Sequence, residues 1–145
     1  MIEDDDIQIF SSQLDPELTV MIVYPGSTRY STIEPQFRKS GHGFILHEAK
    51  AIMIDGSVVE EDWFTIDHLM VIQAHEIGHY RAEHAINENA GIDIEKEADW
   101  LGYKLLSSLE YESAAQLHKE EYRERYGTDP DHDSVKFKEK LGKLI

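Results

Sequence analysis

No cysteine occurs in this chain, so it forms no disulfide and has no thiolate to offer a metal. Basic residues are scarce: 14 Lys and Arg stand against 29 Asp and Glu, a formal net charge of −15. That balance repels phosphate backbones and anionic lipid, so no nucleic acid and no membrane surface is expected as a partner. Long apolar runs are missing as well, which excludes membrane insertion. The acidic start Met1-Ile2-Glu3-Asp4-Asp5-Asp6 stands where a secretory leader would need basic residues, and a cytoplasmic location is the expectation. There is no internal repeat and no low-complexity tract beyond that start. At 145 residues and 41% hydrophobic content, the chain can bury one modest core, so residues 1–145 are read as a single domain.

What the chain does contain is His75-Glu76-Ile77-Gly78-His79, an HExxH motif. Histidines four apart on a helix lie about 40° apart around the axis and one turn along it, so both can aim a ring nitrogen at one zinc ion. Glu76 lies roughly 100° round from His75, which suits a residue that reaches a water beside the ion rather than the ion. Thr65 or Asp67 can cap the helix, and Leu69, Val71, Ile72, Ile77 and Tyr80 supply its apolar contacts. Gly78, costly inside a helix by about 1 kcal/mol, implies that another backbone packs closely there. The bland alternative is a helix whose two histidines merely pack in a core.

A catalytic zinc takes three protein ligands and keeps one position for water. The third is sought on a second helix, where Asp93 is a candidate N-cap and Ile94, Ala98, Leu101, Leu105 and Leu109 recur at helical spacing. Glu97, at the edge of that stripe, is the first choice, with Glu95 and Asp99 as rivals. Asp99 reads instead as a residue that orients a histidine through its free ring nitrogen.

The segment from His75 to His84 resembles the active-site helix of gluzincin metallopeptidases, in particular the branch of the CAAX-prenyl endopeptidases and the HtpX-type peptidases. Glu95-Lys96-Glu97-Ala98-Asp99-Trp100-Leu101-Gly102 is similar to the ExEADxxG segment that carries the Glu ligand of that branch. The resemblance, spanning about Phe44 to Leu144, implies zinc ligation by His75, His79 and Glu97, with Glu76 as general base. Those relatives have transmembrane segments; in lacking them this chain is similar to the compact soluble minigluzincins and to the ImmA/IrrE-like peptidases. Where relatives show Thr-His-Pro, this chain has Thr128-Asp129-Pro130-Asp131-His132. Tyr80, His118, Tyr122 and His132 are the candidates for stabilising the transition state. By position, Ala49 to Asp55 corresponds to the strand that pairs with extended substrate in relatives.

Elsewhere, Leu18 to Tyr24 reads as a buried strand, Thr28 to Gly43 as loop with a short helical turn, and Phe44–Leu46 and Ala51–Ile54 as two further strands. Ser57 to Glu60 reads as a capping box opening a short helix. Tyr111 to Tyr126 reads as a helix closed by Gly127, and a last helix follows from Asp129-Pro130 to Leu144. The expected fold is α+β and zincin-like: a small, mostly antiparallel sheet packed on the HExxH helix, then a helical C-terminal half. The expected function is zinc-dependent hydrolysis of a peptide or protein substrate. Two other classes stay open: a zinc-binding regulatory or structural module, closed by a fourth ligand such as His84, His118 or Asp99, and a latent peptidase blocked by its own termini.

Overall fold

The computed structural model describes residues 6–82, 92–131 and 133. Their order is β1 (Ile7–Ser11), β2 (Thr19–Val23), α1 (Tyr30–Ser40), β3 (Gly43–Leu46), β4 (Ala51–Asp55), α2 (Gly56–Val59), α3 (Ile66–Arg81), α4 (Ile92–Ser108) and α5 (Glu112–Tyr126). The class is α+β. Its sheet is mixed, in the order β1-β2-β4-β3: β1 and β3 run antiparallel to their neighbours, while β2 and β4 are parallel, with Val20 opposite Ile52 and Ile22 opposite Ile54.

Strand alternation assigns the two faces of the sheet. Val20, Ile22, Ile52 and Ile54 point to one side and pack with Met70, Val71, Ala74 and Ile77 of α3. Ala51 and Met53 point to the other side and pack with Val23 and Phe37. Phe37 belongs to α1, an 11-residue helix in the interval read as loop with a short helical turn from its proline and glycines. Tyr30, Ile33 and Phe37 form an apolar stripe at helical spacing, and burying it outweighs Pro35, which lies inside the helix.

β4 is buried throughout and bonded on both sides, so Ala51–Asp55 has no free ladder edge for another chain. The end strands are β1 and β3, so the expectation that Ala49–Asp55 pairs with extended substrate meets a strand already bonded on both edges. Asp55 closes β4 and caps α2, its carboxylate accepting from the Ser57 amide at 3.0 Å; the capping box read from Ser57 is thus an Asp55 cap. Thr65 caps α3, with the His68 ring taking the place of the usual acidic partner in a capping box.

α4 crosses α3 at close range. A Cβ on Gly78 would lie 2.4 Å from the Ala98 carbonyl oxygen, and one on Gly102 would lie 2.9 Å from the Ala74 carbonyl. Each helix therefore offers a glycine where the other brings its backbone, as Gly78 alone had implied. α4 begins at Ile92, so Asp93 is inside the helix. α5 ends where Gly127 turns left-handed at φ 73°. Pro130 and Asp131, in the interval read as the start of a last helix, form a turn; the remainder to Leu144, Asp133 apart, with His132 and also His84, lies outside the described residues. No helix among the described residues is long and apolar enough to cross a membrane.

Candidate metal centre

The helix period and the α3–α4 crossing together build the site. His75 and His79 stand one turn apart on α3, their rings perpendicular and their Nε2 atoms 3.0 Å apart. The α4 residue that faces them is Glu95: one carboxylate oxygen lies 3.0 Å from His75 Nε2 and the other 3.3 Å from His79 Nε2. Glu97, the first choice from the sequence, is buried and is not part of this group. The reason is rotational. Glu95, Ala98, Asp99 and Gly102 share the face of α4 that meets α3, and Glu97 is about 160° away from Glu95 and from Asp99.

Asp99, one turn after Glu95, reaches the other nitrogen of His75: Oδ1 is 2.6 Å from Nδ1. Burial opposes ionisation of this carboxyl, which is 2% exposed, but the hydrogen bond and charge of His75 bring it down to about 2. An ionised carboxylate can only accept, so Nδ1 carries a proton, and Nε2 is the nitrogen turned toward Glu95 and His79. The second oxygen of Asp99 accepts from Arg125 Nη1 at 2.8 Å and from the Tyr126 hydroxyl, so α5 holds the carboxylate in place. Neither Arg125 nor Tyr126 carries a sequence signal for this role, because only the packing of α5 brings them here.

Do these residues fit a metal? Zinc bonds of 2.0–2.1 Å at tetrahedral angles put neighbouring donors about 3.3 Å apart. The measured separations of 3.0, 3.0 and 3.3 Å are close to that edge, and the donor set of two imidazoles and one carboxylate is one that zinc takes. The local field is strongly anionic. Burial acts against a proton on His75, yet hydrogen bonds to Asp99 and Glu95 outweigh it and lift the ring well above the ordinary histidine value. The same hydrogen bonding, from His75 and His79, holds Glu95 well below the usual carboxylate range. A place that attracts a proton so firmly suits a cation.

Glu76 is 6% exposed, with its carboxylate 3.9 Å from His75 Nε2. Burial raises its proton affinity while the neighbouring histidines oppose the rise, which moves a carboxylate toward the range useful to a general base. His75, Glu76, Glu95 and Asp99 line a cleft of about 360 Å³, which Gly41 to Gly43 at the start of β3 also line.

The candidates for transition-state stabilisation go elsewhere. Tyr80 packs its ring on His47. Tyr122 is buried against Trp100 and donates to Asp133 at 2.7 Å, and burial drives its phenol pKa upward. His118 is buried beside Gly102, with neither ring nitrogen partnered among the described residues, and burial takes it down to about 4. None of the three lines the cleft, whereas Arg125 does. Compared with family models, curated proteins and solved structures, the chain matches none.

Proposed function

We propose that this chain is a zinc-dependent peptide hydrolase of zincin-like fold, with His75, His79 and Glu95 as metal ligands and Glu76 as general base. The observation that carries the reading is the convergence of three donors at tetrahedral-edge spacing beside a buried carboxylate in an open cleft. Zinc held there would polarise a peptide carbonyl and acidify a water. Glu76 takes the proton of the attacking water on its carboxylate as the oxygen bonds to the carbonyl carbon, then delivers it to the nitrogen as the C–N bond breaks. Asp99 holds His75 in the tautomer and orientation that ligation needs, and Arg125 and Tyr126 hold Asp99. β3, which among the described residues pairs with β4 alone and begins at the cleft, offers the edge for an extended peptide.

A closed structural site would need a fourth protein ligand. Asp99 is engaged by His75, Arg125 and Tyr126, and His118 is not among the grouped donors. Of the fourth-ligand candidates among the described residues, neither joins the group, and this supports the catalytic reading. Elemental analysis together with peptide cleavage by the zinc-loaded chain tests it: about one zinc per chain and cleavage abolished in Glu76→Gln are expected. Absence of bound zinc in the purified, zinc-supplied protein would overturn it.

A further inference from the structure

Beyond the cleft lies a second cavity of about 510 Å³, which shares His42, Val71, Ile72, Glu121 and Arg125 with it. One wall is aromatic. Trp63 stands edge-on to His68 at 5.2 Å between ring centroids, 5.8 Å from Phe64 and 6.4 Å from His42. Trp63 is 51% exposed, although burying an indole is among the largest hydrophobic gains a chain can make. The lining also includes Glu121 and Glu124 of α5, which form no ion pair among the described residues. Arg125, the cation in this lining, is committed to Asp99 at 2.8 Å.

Arg125 and the His68 ring act on Glu121 through their charge, but neither forms an ion pair with it. An exposed indole in one groove with two carboxylates that form no ion pair among the described residues is the chemistry that receives an organic cation with an apolar stem. We infer that this groove is a specificity subsite that takes a lysine or arginine side chain of the peptide substrate, its methylenes on Trp63 and His68 and its charge at Glu121 and Glu124. The inference rests on the hydrolase reading for calling the occupant a substrate. The groove's own chemistry stands apart from the metal.

The test is binding by the full chain carrying Glu76→Gln, with zinc and again after chelation. Lysine is scanned through each position of an alanine hexapeptide, with norleucine, its uncharged counterpart, scanned in parallel. Peptides with lysine at one position are expected to bind roughly tenfold tighter than their norleucine partners. That advantage should survive chelation, should fall in Trp63→Ala, and should be lost in Glu121→Gln. Equal affinity at every position, no measurable binding, or an advantage unchanged in the Trp63→Ala/Glu121→Gln double variant would overturn the inference. Thermal melts check that the variants fold, and the lysine–norleucine comparison decides the question even if they do not. Lysine preference in binding without cleavage by the wild type would sink the hydrolase reading and leave the cation groove. Cleavage of these peptides without lysine preference would do the reverse.

Discussion

Asp99 Oδ1 stands 2.6 Å from Nδ1 of His75, a contact between helices that joins residues 24 apart in the chain. One turn earlier on the same face, Glu95 approaches Nε2 of the same ring at 3.0 Å. A single imidazole is thus gripped at both nitrogens by one helix, with one carboxylate at each.

Glu95→Gln is expected to remove zinc binding at micromolar supply, and Glu97→Gln to leave it in place, since an amide is a poor replacement for a carboxylate donor. Competition with a chromophoric chelator puts both variants on one scale. The reverse order of affinities would restore Glu97 as the ligand.

Asp99→Asn should keep the ligands but lose the anion that orients His75, and zinc affinity should fall about 10- to 100-fold. Wild-type affinity in this variant would show that the hydrogen bond does not tune the ligand.

Glu76→Gln should bind zinc as the wild type does and lose hydrolysis by at least about 10²-fold, because the amide keeps the shape and cannot take a proton. Metal content and single-turnover rates, measured side by side, separate the two properties.

Gly78→Ala would place a methyl 2.4 Å from the Ala98 carbonyl oxygen, where the neighbour is backbone and cannot rotate away. A loss of about 1–3 kcal/mol in urea unfolding is expected, with weaker zinc binding as α4 is pushed off α3. Unaltered stability would mean that the two helices do not meet at Gly78 and Ala98.

His118 gives an acid-sensitive contribution to stability. Its folded value, about 4, lies below the ordinary 6.5, so the unfolded chain binds the proton first. The stability that the neutral ring provides is complete above about pH 6.5, is lost as pH falls toward 4, and declines no further below that, roughly 3 kcal/mol in all. In metal-free protein, His118→Leu should flatten the wild-type slope between pH 6.5 and 4. Parallel curves for the two proteins would refute this.

Local periodicity carried much of the architecture. The 3.6-residue repeat made α3 readable with both histidines on one side, a β-branched run marked β2, and two short apolar runs marked β3 and β4. α1 was obscured because Pro35 and the flanking glycines speak for loop, while its stripe of Tyr30, Ile33 and Phe37 matters only against a sheet face that is distant in sequence. The strand order was equally out of reach: the parallel pairing of β2 with β4 depends on a register set across the core.

The site divides along the same line. His75, Glu76 and His79 lie within one helical turn, so their mutual geometry follows from backbone hydrogen bonding alone. So does the pairing of Glu95 with Asp99 on one face of α4. Which face of α4 meets the histidines is a rotation of a whole helix, and no local interaction sets it. Gly78 against Ala98 and Gly102 against Ala74 set it, by allowing the two backbones to meet at those points. That rotation turns Glu95 toward His75 and His79 and carries Glu97 to the other side, and packing α5 onto the pair then brings Arg125 and Tyr126 to Asp99.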